Sequence, residues 1–131
     1  MTVSLSITAL YASLLALLLL GLSFNVIRLR LKLKVGIGDG EQKPLTAAIR
    51  IHGNFIEYIP LALVLLGCYE LNGADSLWLY ILGGLLFVGR ILHAIGLSKS
   101  TGTSIQRQVG SLLTFLILLI LSIENIRMFL I

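Results

Sequence analysis

Along this chain the polar residues come in short clusters and the apolar ones in long runs. Four runs stand out, from about 3 to 27, 45 to 71, 76 to 97 and 104 to 127. Each is long enough to cross a bilayer as a helix, which takes about 20 residues. None alternates apolar and polar positions as barrel strands do, and backbone groups in lipid must be satisfied within their own segment, so the pattern predicts helices. The expected fold is all-α: an integral membrane four-helix bundle, one domain over residues 1–131. Helix is expected to continue past the first run into the basic RLRLKLK of residues 28–34. Residues 1–27 carry no charged side chain and no basic segment precedes the apolar run, so this first run is expected to be a retained span.

The connections refine the picture. VGIGDGEQKP, residues 35–44, mixes glycines with charge and ends in Pro44, which suits the first turn of the second helix. Its GIGDG follows no strand and fits no phosphate-binding spacing, so it reads as a flexible turn. NGAD, residues 72–75, is a tight hairpin, and SKSTGT, residues 98–103, is a polar turn. Thr103 followed by Gln106 resembles a capping box, which would place Arg107 in the first turn of the fourth helix.

Composition agrees with a membrane protein. The chain is 57% hydrophobic and only 12% charged, where soluble domains carry about 25% charged residues. Its formal charge of +4 is uneven: Arg28, Arg30, Lys32, Lys34, Lys43 and Arg50 crowd one interval, and Lys99 and Arg107 another. The hairpin around Asp75 has no Lys or Arg, so the positive-inside rule puts the first and third loops in the cytoplasm and both termini outside. Arg30, Lys32 and Lys34 are expected to face lipid headgroups. No basic face with interleaved aromatics accompanies the charge, which argues against nucleic-acid binding. Cys68 is the only cysteine, so no intramolecular disulfide forms, and no spacing suggests a metal site.

The chemistry concentrates in RIHGNFIEYIP, residues 50–60. On a helix, Arg50, Asn54 and Glu57 stand at i, i+4 and i+7, within roughly 60° of one another. Such polar groups in an apolar span should point into protein or a water-filled cleft, as a ligand surface or as a network locking neighbouring helices together. His52 lies on nearly the opposite side, where another helix, a neighbouring protomer or headgroups could receive it. Pro60 frees the carbonyl of Ile56 beside Glu57. In the third run Arg90 and His93 share a face; Arg90 reads as a structural ion-pair partner, with Glu57 as the candidate acid, and His93 as either a ligand contact or a packing histidine. Gly83, Gly84 and Gly89 should permit close helix approach.

RIHGNFIEYIP resembles the second-helix signature of the MAPEG family, the membrane-associated proteins in eicosanoid and glutathione metabolism: an Arg, three residues, Asn, two residues, Glu, and soon a Pro. VIRLRLK at the end of the first run and GRILH, from Gly89 to His93, resemble motifs of the prostaglandin E synthase branch. The resemblance covers essentially the whole chain. It implies a homotrimer with glutathione bound between subunits near the cytoplasmic face and a hydrophobic small molecule arriving from lipid. Carried over, Arg28, Arg50, Asn54, Glu57 and His93 match positions that line or support the glutathione site, and Arg107 matches the arginine that favours the thiolate in catalytic members. Glutathione offers two carboxylates and an ammonium, which arginines and a glutamate complement.

The sequence also departs from that family. Catalytic members carry a tyrosine where this chain has Leu97, the prostaglandin synthase branch has a basic residue in place of Gly53, and its early fourth helix has a tyrosine where Ser111 is the nearest candidate. Two functions of the same fold therefore compete: a glutathione-dependent transferase or peroxidase, and a non-catalytic ligand-binding or scaffold protein. A small multidrug exporter, which typically has an acid in its first span, is the remote third; this first span has none.

Overall fold

The computed structural model describes residues 2–99 and 104–131. Four helices follow one another, α1 (Ser6–Leu33), α2 (Lys43–Leu71), α3 (Ser76–Lys99) and α4 (Ile105–Leu130), and no strand occurs among the described residues. All four are long and apolar enough to cross a membrane. Helix α1 runs through the basic segment as far as Leu33 and ends at Lys34, a left-handed residue with φ 57° whose N–H donates to the Arg30 carbonyl. Helix α2 carries Pro44 in its first turn, where no N–H is needed, and continues unbroken through Pro60.

Helices α2 and α3 each pack against the other three, and α1 and α4 lie apart. The buried residues of α2, Leu45, Ala48, Ile51, Phe55, Ile59, Ala62, Leu66 and Tyr69, recur every three or four positions, one stripe along the helix. Of these, Phe55, Ile59, Ala62, Leu66 and Tyr69 share a core with Leu79, Leu82 and Leu86 of α3, Ile117 and Leu121 of α4, and Leu15 of α1, and Leu45 and Ala48 pack separately with Leu29 of α1. Outward-facing Leu17, Phe24, Leu61, Val64, Leu112 and Leu119 present the apolar surface that a bilayer solvates. Because lipid is as apolar as the helices, area burial does little to hold such a bundle together; close packing and polar ties carry more of the load.

Close packing is greatest along the α3–α4 seam. A Cβ on Gly110 would run into the carbonyl oxygen of Gly89 and come within 2.7 Å of the His93 backbone nitrogen. One on Gly96 would meet the Arg107 backbone and lie 2.6 Å from Ser104 Oγ. Of the glycines singled out in the sequence, Gly89 belongs to this seam, Gly83 accepts the Tyr11 ring of α1, and Gly84 has ordinary room, 3.6 Å to the Tyr11 hydroxyl.

The polar ties join elements far apart in sequence. Glu70, near the end of α2, accepts the Ile7 and Thr8 amide hydrogens at 3.0 and 2.7 Å, capping the first turn of α1 with a carboxylate where the helix dipole favours one. Asn125 Nδ2 donates to the carbonyls of Leu121 and Leu65, tying α4 to α2. Asp75 Oδ1 accepts the Leu77 amide hydrogen and caps α3.

Two expectations are corrected by the loops. The turn after α1 is held, not flexible: Arg30 Nη1 folds back to donate to the carbonyls of Val35 and Gly38 at 3.2 and 2.8 Å, so Arg30 braces the loop instead of facing headgroups. Asp39 accepts the Glu41 amide hydrogen and the Thr46 hydroxyl, and these bonds hold its carboxyl below the usual carboxylate range. The cap of α4 is Ser104, whose Oγ accepts the Arg107 amide hydrogen at 3.2 Å. Thr103 lies outside the described residues, and with Ser104 as the cap the third helical residue is Arg107, not Gln106.

Candidate functional site

Antiparallel succession brings the first half of α2, the second half of α3 and the start of α4 to one end of the bundle. On α2 the residues flanking the buried stripe are the polar ones. Arg50 Nη1 stands 3.6 Å from Glu57 Oε1, with the two side chains 56% and 49% exposed on the flank of the chain. Asn54 lies between them in sequence and its Oδ1 is buried without a hydrogen-bond partner. In water an exposed pair of this kind contributes well under 1 kcal/mol.

Helix α3 gives the least expected feature. Leu82, Leu86, Arg90 and His93 follow the same helical spacing, so the arginine and histidine continue the core face of α3. Arg90 is 2% exposed and His93 3%. Arg90 forms no pair with Glu57: among the described residues no carboxylate pairs with it, and Glu57 is joined to Arg50. Its guanidinium lies 5.9 Å from the Phe55 ring centre, Nη2 is 3.4 Å from His93 Nδ1, and Nε and Nη1 have no hydrogen-bond partner. Sequence reasoning gave Arg90 a structural role. The spacing from Leu86 was the signal that it lies inside.

Arg107 follows from the glycine seam. Gly96 and Gly110 let α4 start against α3, so the half-buried Arg107 begins its helix beside the turn of α3 that carries His93. His93 lies within the field of Arg90, Arg107 and Arg50 together. The contacts made are Arg90 Nη2 with His93 Nδ1 on α3 and Arg50 with Glu57 on α2, while the Arg107 backbone starts α4 against Gly96, one turn beyond His93.

Arg28 stands apart. Its Nη2 donates to Asn25 Oδ1 on its own helix at 2.8 Å, and it lines a recess of about 270 Å3 between α1 and α2 with Pro44, Ala47 and Ile51. Among the described residues no hydrogen bond or ion pair joins it to the other candidates within one chain. His52 turns to α1, where Nε2 is 3.1 Å from Ser23 Oγ, which selects a neighbouring helix from its three possible destinations. No group of three or more His, Cys, Asp or Glu able to hold a metal occurs among the described residues.

Such a fold and site define a multi-pass membrane protein with a cluster of arginines at one end of an antiparallel four-helix bundle. A model of the MAPEG family matches residues 8–127, and the chain belongs to that family. It is similar to Inner membrane protein YecN of Escherichia coli strain K12, with 43% identity over 90 residues that cover 69% of each chain. The same figures hold for the protein of that name in E. coli O6:H1 strain CFT073.

Proposed function

We propose that this protein is a glutathione-dependent transferase or peroxidase of the membrane, acting on hydrophobic electrophiles that reach it through lipid. The observation that carries the reading is the buried polar set at the start of α2 and the end of α3: Arg90 with two donor nitrogens unpartnered and Asn54 with its Oδ1 unpartnered, beside the Arg50–Glu57 pair. An unpaired buried guanidinium is costly, and a ligand carboxylate would satisfy it. Glutathione has two carboxylates for Arg50 and Arg90 and an ammonium for Glu57. Asn54 and His93 complete the contacts, and Arg107, close to His93, faces the thiol.

In this reading Arg107 stabilises the thiolate over the thiol by about 1.4 kcal/mol for each unit by which it lowers the thiol pKa, and one arginine in a partly dry cleft can supply one to two units. The thiolate sulfur then bonds to an electrophilic carbon of the substrate, and the leaving group departs with the bonding electrons. The exposed flank of α2 supports a homotrimer in which neighbouring copies close the site and bring in Arg28. The likeness to YecN supports an inner-membrane location, and the basic loops support a cytoplasmic opening for glutathione with both termini outside.

A non-catalytic binding protein is the second reading, favoured by Leu97, which has no hydroxyl to offer the sulfur one turn beyond His93. Spectroscopy of the bound thiol separates the two. Arg107→Ala should lower the thiolate fraction at neutral pH about tenfold while changing affinity little, whereas Glu57→Ala should weaken binding itself. Binding with no thiolate absorbance and no conjugation of an aryl halide would favour the second reading, and equal, small effects of both substitutions would refute the assignment.

A further inference from the structure

At the other end of the bundle, where α2 and α4 finish and α3 begins, a cleft of about 430 Å3 opens between those helices, lined by Tyr69, Asp75, Trp78, Leu82, Glu124 and Arg127 among others. Its volume falls in the range of small-molecule sites. Twenty residues of α4, from Arg107 to Arg127, separate it from the site above, about 30 Å along the helix. It therefore shares no residue with the glutathione reading and does not depend on it.

The charges in the cleft do not balance. Glu124 Oε2 accepts from Arg127 Nε at 3.0 Å and Nη2 at 2.7 Å, and from the Tyr69 hydroxyl at 3.4 Å. The guanidinium is thereby neutralised within the wall. Asp75 uses Oδ1 to cap α3, and no hydrogen bond of the described residues engages its Oδ2 or Glu124 Oε1. Two carboxylates against one arginine leave one negative charge. The amide end of α3 is met by Asp75, and the Cys68, Tyr69 and Glu70 carbonyls at the end of α2 by the Asn72, Ala74 and Gly73 amides, so the side chains set the sign of the cleft. Trp78 presents an indole that is 55% exposed, a ring face suited to a cation, and Leu82 and Ile120 lie one to two turns deeper in the bilayer direction.

We propose that this cleft binds an amphiphile with an ammonium head, the cation held between Asp75, Glu124 and the Trp78 ring and the apolar tail laid along Leu82 and Ile120. An anionic head has no free partner there, since the one arginine is already committed, and a neutral head brings no charge to offset the excess carboxylate.

Trp78 is the only tryptophan of the chain and so reports on the cleft directly. The purified full-length protein, in a nonionic detergent, would be titrated with decyltrimethylammonium, decyl sulfate and decyl maltoside while its fluorescence is followed. A saturable change with the ammonium probe alone is expected, weakened at least tenfold in the double variant Asp75→Asn, Glu124→Gln. Both substitutions keep shape, and Asn can still cap α3. Arg127→Gln, which releases Glu124, should tighten binding severalfold. The proposal is overturned if the three head groups act alike, if the double variant titrates as wild type, or if Arg127→Gln leaves the affinity unchanged or lower.

Discussion

A guanidinium buried without a carboxylate is the feature that most needs explaining. Arg90 sits among Phe55 and His93 with Nε and Nη1 unmet, a condition that a folded chain tolerates only when something else compensates. If the compensation is a ligand, the ligand-free protein gains by losing the charge. Arg90→Met should leave its stability unchanged or raise it by about 1–4 kcal/mol, as replacement of buried ionic groups by apolar ones often does. The same variant should lose glutathione binding. Thermal unfolding in detergent with and without glutathione reads both effects, and a destabilised ligand-free variant would mean that Arg90 serves the fold.

At the scale of elements, two devices set how the helices meet. The Glu70 carboxylate holds the start of α1 through the Ile7 and Thr8 amides, so Glu70→Gln should weaken that cap by about 1 kcal/mol. Amide exchange at Ile7 and Thr8 should quicken about fivefold while the middle of α1 is unaffected; unchanged rates would show the contact to be incidental. The α3–α4 seam depends on the absence of side chains at Gly89, Gly96 and Gly110. Gly110→Ala forces a methyl against the Gly89 carbonyl and should cost about 1–3 kcal/mol, seen as a lower unfolding temperature. Gly84→Ala, with 3.6 Å of room, is the matched control and should be close to neutral.

These elements show what the sequence could and could not reveal. The helices were legible because each is a long apolar run, and α2's polar stripe was legible because i, i+4 and i+7 leave no other arrangement on a helix. The brace of Arg30 across its loop was not, since a basic residue after an apolar run looks the same whether it faces headgroups or folds back. The burial of Arg90 was readable in its spacing from Leu82 and Leu86, but charge pointed the other way. Glu70 and Asn125 escaped notice because their partners, Ile7, Thr8 and Leu65, are brought to them only by the folded topology. The α4 cap falls on Ser104, whose Oγ accepts the Arg107 amide hydrogen, a choice that adjacent Ser and Thr residues leave open in the sequence.

For the whole molecule, the division of chemistry between the two ends of the bundle organises everything else. One end gathers Arg50, Asn54, Glu57, Arg90, His93 and Arg107 on three helices; the other holds the Glu124–Arg127 pair and Asp75 in an acidic cleft. Membership of the MAPEG family and four spanning helices fix the setting in a membrane. The proposed chemistry then rests on whether the arginine-rich end takes glutathione as a polar ligand from water. Calorimetric titration of the purified wild-type protein with glutathione, with the ultraviolet absorbance of the bound thiolate followed in parallel, tests this most directly. Saturable binding with a thiolate signal at neutral pH, absent in Arg90→Met, is the predicted result. No heat of binding and no thiolate signal from the intact, folded protein would contradict it.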